Sequence, residues 1–127
     1  MQYILMLHVQ EDGWSKLTAA EQEQGMAAYL AYTNALKKAG ALKGVNRLQP
    51  SSTATTVRIV DGKSLVLDGP FLDTKEQLGG YYVIDVPHLD AALMWAERCP
   101  AAHHGIVEVR PLWDASDDTA DVALRRS

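Results

Sequence analysis

The stretch Tyr3-Ile4-Leu5-Met6-Leu7 is apolar at every position. A strand with one face in water alternates apolar and polar residues, whereas a strand that is covered on both faces is apolar throughout. The run therefore predicts a central strand of a sheet with packing on both of its faces. The remaining elements are interpreted around this strand.

Two helices are predicted on either side of the middle of the chain. Thr18 followed by Glu21 is a capping-box pattern that starts a helix, and Gly40 supplies its stop. Residues at helical spacing fill the first helix at Met26, Tyr29, Leu30, Thr33 and Leu36. The second helix is predicted from Leu89, Ala92, Leu93 and Ala96, and it ends before Pro100.

A β-hairpin is predicted between the two helices, after a short strand at 41–48. The β-branched run 53–60 leads to Asp61-Gly62, a turn pair that tolerates positive φ, and the chain returns through 64–68. A two-residue turn sets Arg58 opposite Leu65 and Asp68 opposite Thr55, so Arg58 and Asp68 lie on opposite faces unless a bulge intervenes. A single helical turn is predicted at 74–78, then strands at 81–86 and 106–110, the last with Val107 and Val109 on one face.

This order of elements reduces to β-α-β-β-α-β with an inserted hairpin, which predicts a ferredoxin-like α+β sandwich. We predict a single domain over residues 1–113 and a flexible or loosely docked tail over 114–127. Two helices cover only one face of such a sheet, while the first strand is apolar on both. A second copy of the chain is the simplest cover for the other face, so a homodimer is predicted.

Composition limits the classes of partner and location. The formal net charge is −4 and the 12 basic residues are scattered, which argues against a nucleic-acid partner. No apolar run approaches the roughly 20 residues that span a bilayer. The single Cys99 and the lack of a leader pattern favour a cytoplasmic protein. No phosphate loop or dinucleotide fingerprint is present, so no organic cofactor is expected.

Several segments together resemble the DGPF branch of the YCII-related proteins. The resemblance is carried by 54–58, Asp68-Gly69-Pro70-Phe71, 74–82, 92–96 and 107–111, in the family's order. It implies a dimeric α+β barrel, an association of some members with sigma factors, and a distant relationship to a dehydrochlorinase. Better-studied members resemble enzymes with a His-Asp pair whose histidine lies on the first helix. This chain has no histidine between His8 and His88, so that pair is absent in its usual form.

The segment from Asp68 to Gly80 holds the main candidates for a functional site. Asp68 ends a strand beside a Gly-Pro turn, where partial desolvation would suit a catalytic base, although an aspartate here also serves as an ordinary turn residue. Lys75 and Glu76 are candidate binding residues or a solvated pair on the surface. Phe71 is a candidate pocket wall.

Two arginines are further candidates for binding an anionic group. Arg58 would do so from the hairpin, and Arg110 from the last strand. Arg110 shares a strand face with Glu108, so an ion pair between these neighbours is the competing interpretation.

The histidines and the cysteine give weaker signals. His103-His104 lacks further ligands at metal-binding spacing, so no metal site is predicted. His8, at the end of the first strand, faces either a pocket or the rim of the core. Cys99 has little to activate its thiol and is interpreted as a packing residue.

Two functions are compatible with these residues. In the first, the protein binds a small organic molecule in a pocket near the Asp68 segment and performs acid-base chemistry on it, with Asp68 as the base. In the second, it is a non-catalytic regulatory or interaction module, linked to a sigma factor, and the same segment shapes a partner surface.

Overall fold

The structure, a computed structural model, describes residues 1–114. Its strands and helices follow the predicted order, with short 3₁₀ turns in three of the loops. They are β1 (Gln2–Val9), α1 (Ala19–Lys38), β2 (Leu42–Arg47), β3 (Thr55–Val60), β4 (Lys63–Asp68), β5 (Gln77–Asp85), α2 (Leu89–Arg98) and β6 (Ile106–Pro111).

Four of the strands form one antiparallel sheet in the order β2-β5-β1-β6. β1 is hydrogen-bonded on both edges, to β5 and to β6, so the predicted central strand is confirmed. The connections reproduce the ferredoxin-like α+β arrangement. β3 and β4 pair only with each other and form a separate two-stranded hairpin inserted between β2 and β5.

The core lies between this sheet and the two helices. Tyr3, Leu5 and Leu7 are buried on the helix side of β1, because alternate side chains of a strand point to the same face. The largest fully buried side chains are Leu5, Leu36, Ile84 and Cys99. Burial raises the pKa of the Cys99 thiol, which agrees with its interpretation as a packing residue.

α1 begins as predicted but turns a different side toward the core. Thr18 accepts a hydrogen bond from the Glu21 amide, and Glu21 accepts one from the Thr18 amide, which confirms the capping box. Met26 and Leu30, placed in the apolar stripe by their spacing, are 65% and 63% exposed. Tyr32 is buried instead.

Contacts of the Tyr32 side chain explain this orientation of the helix. Its hydroxyl donates a hydrogen bond of 2.7 Å to the carbonyl oxygen of Trp95, and its ring meets the rings of Tyr82 and Trp95 edge to face. A tyrosine that is buried in this way keeps a partner for its hydroxyl group. The tertiary contact therefore outweighs the simple apolar period of the helix.

The hairpin has the predicted turn and register. Asp61 and Gly62 both have positive φ, at 51° and 76°. Arg58 is opposite Leu65 and Thr55 is opposite Asp68, so no bulge intervenes. Arg58 and Asp68 therefore lie on opposite faces of the hairpin, as the turn length predicted.

The predicted helical turn at 74–78 is wrong. β5 begins at Gln77, four residues before the predicted strand, and 74–76 is irregular. The Gln77 side chain donates to the Thr74 carbonyl at 2.6 Å, so a side chain satisfies a carbonyl that a helical turn would have satisfied with an amide.

Three further observations concern the last strand, the helices as possible membrane spans, and the C-terminal tail. Val107 and Val109 share one face of the last strand, as predicted, and the structure packs that face against the core. Neither helix in the described part of the chain is long and apolar enough to cross a membrane. The tail predicted at 114–127 lies outside the described residues except for Asp114.

Candidate functional site

The face of the four-stranded sheet that points away from the helices is called here the open face. On β1 it carries Ile4, Met6 and His8, which are half-buried, in contrast to the buried residues that alternate with them. Residues paired directly across an antiparallel sheet share a face. The pairing therefore adds Asn46, Tyr81, Val83, Ile106, Glu108 and Arg110 to the open face.

A histidine and a glutamate meet at one edge of the open face. Nε2 of His8 lies 3.0 Å from Oε1 of Glu108, and the two side chains are 29% and 42% exposed. β6 runs antiparallel to β1, with Ile106 opposite His8 and Glu108 opposite Met6, so the contact is diagonal. The pairing of the two strands brings together groups that are 100 residues apart in the sequence.

Arg110 extends this pair into a chain of three groups. Its Nε lies 3.3 Å from Oε2 of Glu108, which confirms the predicted ion pair between these neighbours. Glu108 thus contacts the imidazole with one oxygen and the guanidinium with the other. A carboxylate only accepts hydrogen bonds, so a neutral His8 donates from Nε2 and keeps Nδ1 as an acceptor.

Gly105 allows β6 to approach β1 closely at this point. A Cβ atom built on Gly105 would overlap the carbonyl oxygen of His8, and would also lie 3.0 Å from Cγ1 of Val9. Only glycine fits such an approach without a shift of the backbone. The position of Glu108 beside His8 therefore depends on the residue that precedes the strand.

A second polar pair borders the open face on the side of β2. The Asn46 amide donates to the Tyr81 hydroxyl at 2.8 Å. Met6 pairs with Tyr81 on one side and with Glu108 on the other, so its side chain lies between the two polar pairs. The open face thus has an apolar floor, formed by Met6 with Ile4 and Val83, between two groups of polar atoms.

The predicted base, Asp68, lies elsewhere. It is exposed at the end of β4, and its carboxylate makes no hydrogen bond or ion pair within residues 1–114. The Asp68 carboxylate was expected to be partly desolvated, and in the single chain it is not. Within the described residues, nothing covers β3 or β4 on the face that carries Asp68. Its role as a base stays a prediction.

Arg58 and Phe71 form a separate feature on the other face of the hairpin. The guanidinium carbon of Arg58 lies 6.0 Å from the centroid of the Phe71 ring, at the limit of a cation-π contact. They line an open hollow of about 550 Å³ together with Thr56, Val57, Leu65 and Leu67. The hollow brings these two predicted residues together and excludes Asp68.

Lys75 and Glu76 lie in the irregular segment before β5. Lys75 is exposed and Glu76 is half-buried. The described residues show no ion pair between either side chain and Asp68, Arg58 or Arg110. The six predicted site residues therefore fall into separate groups, and their binding roles stay predictions.

The base of the hairpin is fixed near the His8 end of the sheet. Glu11 accepts hydrogen bonds from the amide and hydroxyl of Ser51, at 2.6 and 2.7 Å, and its own amide donates to Gln77 at 3.1 Å. Gln77 pairs with Val9, next to His8. These contacts hold the hairpin and the segment that follows it at the end of the sheet where His8 lies.

The pair of His8 and Glu108 was not predicted from the sequence. His8 was assigned to a pocket or a rim, and Glu108 only to an ion pair with Arg110. Alternation along each strand was enough to place His8 on the same face as Met6, and Glu108 on the same face as Ile106. The signal that was missing was the register of β1 against β6, which no short-range pattern specifies.

Comparison with known proteins supplies three findings. The profile described as the YCII-related domain matches residues 1–116. An uncharacterised protein of Rhizobium meliloti (strain 1021) is 40% identical over 114 residues, covering 88% of this chain and 92% of that protein.

The third finding is a solved structure with the same fold. It is 5-chloro-2-hydroxyhydroquinone dehydrochlorinase from Burkholderia phenoliruptrix AC1100 in complex with 2,5-dihydroxybenzoquinone. The TM-score is 0.52 at 16% identity, over 93% of this chain and all of that one. At this identity the likeness supports the ferredoxin-like fold and nothing about the reaction.

Proposed function

We propose a function for this chain, which belongs to the YCII-related family. In this proposal it binds a small organic molecule on its open face and exchanges a proton with that molecule through His8. The observation that carries this proposal is the 3.0 Å contact between His8 and Glu108. Imidazole is the side chain best suited to proton exchange near neutral pH, and a carboxylate partner fixes its orientation and tautomer. Nδ1 is then the atom that takes a proton from the ligand.

The open face also suggests the class of ligand. Its apolar floor, with Met6 at the centre, suits the flat surface of a ring. Asn46 and Tyr81 on one side, and Arg110 on the other, offer hydrogen bonds to substituents at the edges of that ring. We therefore propose a small planar molecule with oxygen substituents, and the quinone bound by the dehydrochlorinase is a suitable first probe.

The proposal includes the surroundings of the site. A homodimer, with the open faces of two copies turned toward each other, would exclude water from the ligand and cover the half-buried side of β1. The Asp68-Gly69-Pro70-Phe71 motif supports placement in the DGPF branch of the family. A cytoplasmic location and a role of Asp68 as a second acid-base group belong to the same proposal.

The test is a titration of the protein with 2,5-dihydroxybenzoquinone. Calorimetry measures the binding, and the visible absorbance of the ligand is recorded in parallel. We expect one site per chain and a change in the visible absorbance of the ligand when it lies beside His8, in a titration at an acidic pH where the quinone still carries a proton. His8→Gln should weaken binding at least tenfold or abolish the spectral change, and Glu108→Gln should have a smaller effect in the same direction, because it acts through the imidazole.

His104→Gln is the matched control, because His104 is exposed in the loop before β6 and shows no hydrogen bond or ion pair with His8 or Glu108 among the described residues. It should leave both readouts unchanged. If the wild-type protein does not bind the quinone, the proposed ligand class is wrong. If His8→Gln binds it with the same spectral change, the proposed role of His8 is wrong.

A second function is favoured by the exposed apolar hairpin. Such a surface is typical of an interaction module, and in this alternative the protein binds another macromolecule and catalyses nothing. The link to a sigma factor that the family resemblance implies belongs here and stays a prediction. A hairpin variant that loses partner binding, beside a His8 variant that keeps it, would favour this alternative.

A further inference from the structure

The hollow beside β3 and β4, called here the hairpin hollow, lies between one face of the hairpin and the segment that follows it. Four of its side chains share that face, because they lie at paired positions of the two strands: Thr56, Arg58, Leu65 and Leu67. Phe71, beyond the end of β4, adds an aromatic wall. The volume of about 550 Å³ is within the roughly 300–1,000 Å³ that is usual for small-molecule sites.

The turn after β4 brings Phe71 to this wall. Gly69 has a φ of 97°, a conformation that residues with a side chain rarely adopt. Its amide donates a hydrogen bond of 2.7 Å to the carbonyl oxygen of Ala54, which closes the base of the hairpin. The chain then passes through Pro70, whose ring restricts the backbone, to the Phe71 ring beside Arg58. The Gly-Pro turn therefore directs an aromatic ring back over the hairpin.

Arg58 is the one charged residue among those that form the hairpin hollow in the described chain. It forms no ion pair within residues 1–114, and its guanidinium carbon lies 6.0 Å from the centroid of the Phe71 ring. A guanidinium presents N–H donors in a planar fork that fits the two oxygens of a carboxylate. A carboxylate held by this fork would place the group attached to it beside the Phe71 ring.

We infer that the hairpin hollow is a second ligand site, which binds a small aromatic carboxylate. The carboxylate pairs with Arg58, and the aromatic body lies between the Phe71 ring and the apolar side chains of Leu65 and Leu67. An aromatic body fits better than an aliphatic chain, because the phenyl ring and the guanidinium both present flat surfaces for stacking.

This site is separate from the one on the open face. β3 and β4 pair with each other, and neither belongs to the four-stranded sheet that carries His8 and Glu108. The second site therefore goes beyond the proposed function and does not rest on it. It also gives the Gly69-Pro70-Phe71 part of the motif a role that is independent of Asp68, which lies on the opposite face of the hairpin.

The test uses 2-naphthoate as the probe, added to the full chain labelled with ¹⁵N. Shifts of the backbone amide signals in NMR spectra locate the ligand and give its Kd even when binding is weak. We expect saturable shifts in β3, in β4 and at 69–72. 2-Naphthylmethanol has the same ring without the charge and should bind about tenfold more weakly, because the charged hydrogen bonds are lost. Octanoate, with the charge but no ring, should also bind more weakly than 2-naphthoate.

Substitutions assign the binding to the two groups. Arg58→Gln should weaken the binding of 2-naphthoate about tenfold, and Arg58→Lys should weaken it less, because lysine keeps the charge but not the fork. Phe71→Leu should weaken it severalfold while the preference for the acid over the alcohol remains. Arg47→Gln is the matched control and should leave binding unchanged, because Arg47 is equally an exposed arginine but belongs to β2.

Gly69→Ala tests the turn without removing any group that touches the ligand. Alanine is strained at a φ of 97°, so the turn should rearrange, displace Phe71 and weaken the binding of 2-naphthoate. Gly40→Ala is the control, because Gly40 also has a positive φ, of 71°, but lies at the end of α1. A Cβ atom on either glycine would meet nothing within 4 Å, so both substitutions test the backbone alone. Full binding by Gly69→Ala would contradict the role given to the turn.

Four outcomes overturn the inference. They are the absence of saturable shifts with 2-naphthoate, shifts confined to residues outside the hairpin, equal or tighter binding of the alcohol or of octanoate, and equal losses in Arg58→Gln and Arg47→Gln. Circular dichroism shows whether each variant is folded. If Arg58→Gln is unfolded, the comparison of the acid with the alcohol on the wild type decides.

The two proposed sites fail separately. His8→Gln should leave the binding of 2-naphthoate unchanged, and Arg58→Gln should leave the binding of the quinone unchanged. Loss of 2-naphthoate binding in His8→Gln would show that the acid binds on the open face, and would overturn the second site.

Discussion

The two faces of the four-stranded sheet differ in what holds their side chains. On the helix side, Leu5 and Ile84 are fully buried and the rings of Tyr32, Tyr82 and Trp95 pack edge to face. On the open side, the neighbouring residues are half-buried, and the polar groups contact each other: His8 with Glu108, and Asn46 with Tyr81. The first face carries the buried core of the fold, and the second is where we propose that a ligand binds.

The largest effect that tests this comparison is the loss of a core side chain. Leu5→Ala should lower the free energy of unfolding by about 2–5 kcal/mol, because Leu5 has no exposed surface and a cavity would remain. Met6→Ala, one residue later and on the open face, should cost about 1 kcal/mol or less in dilute protein. Urea unfolding measures both.

Protein concentration sharpens the same comparison. If a second copy covers the open face, the cost of Met6→Ala should grow with protein concentration, whereas that of Leu5→Ala should stay the same. Equal costs for the two substitutions at low concentration would contradict the distinction between the faces.

The next effect concerns the close approach of β6 to β1. Gly105→Ala should destabilise the protein by about 1–3 kcal/mol, because the new methyl group would overlap the His8 carbonyl and push the strands apart. It should also weaken quinone binding, since Glu108 moves with β6. Gly13→Ala is the control, because its nearest new contact would be 4.0 Å away. Unchanged stability in Gly105→Ala would show that the strand edge yields easily.

Two tyrosine hydroxyls give a smaller contrast between the faces. Tyr32→Phe removes the hydrogen bond to the Trp95 carbonyl, which is buried, and should cost about 1–3 kcal/mol because that carbonyl loses its partner. Tyr81→Phe removes the exposed bond to Asn46 and should cost about 0.5 kcal/mol or less. Thermal unfolding measures the two variants, and equal losses would contradict the contrast.

Tyr29→Phe should have the smallest effect at neutral pH, and its effect becomes visible only in alkali. Burial raises the pKa of Tyr29 from 10.0 to about 12, so the folded protein resists loss of this proton while the unfolded chain releases it at lower pH. The contribution of Tyr29 to stability is therefore complete below pH 10 and is lost as the pH rises to about 12. Tyr29→Phe should flatten this loss in a series of urea unfolding curves, while differing little from the wild type at pH 7.

The sequence predicted the local elements well where one residue type has a specific physical role. The capping box at Thr18 and Glu21, and the turn at Asp61 and Gly62, depend only on neighbours in the chain, and both are confirmed. The helical turn predicted at 74–78 was wrong, because the Gln77 side chain satisfies the backbone there and β5 begins early.

The contact between His8 and Glu108 was not predicted, because it depends on pairing between distant strands. The chosen residues centred on Asp68, whose segment is conspicuous in sequence, yet the structure leaves Asp68 exposed and joins Arg58 to Phe71 on the other face. The structure instead brings His8 and Glu108 into a hydrogen-bonded contact. Glu108 lies in one of the segments that carry the family resemblance and His8 does not, and no local pattern marks the two as partners.

The sequence by itself determined the order of elements, the central position of the first strand and the faces of the hairpin. These follow from alternation, helical spacing and turn chemistry, which act between residues close in the chain. Only the tertiary structure decided that His8 meets Glu108 and that Tyr32, rather than Met26 or Leu30, faces the core. Such contacts depend on strand register and on packing across the sheet, which join residues that are far apart in sequence.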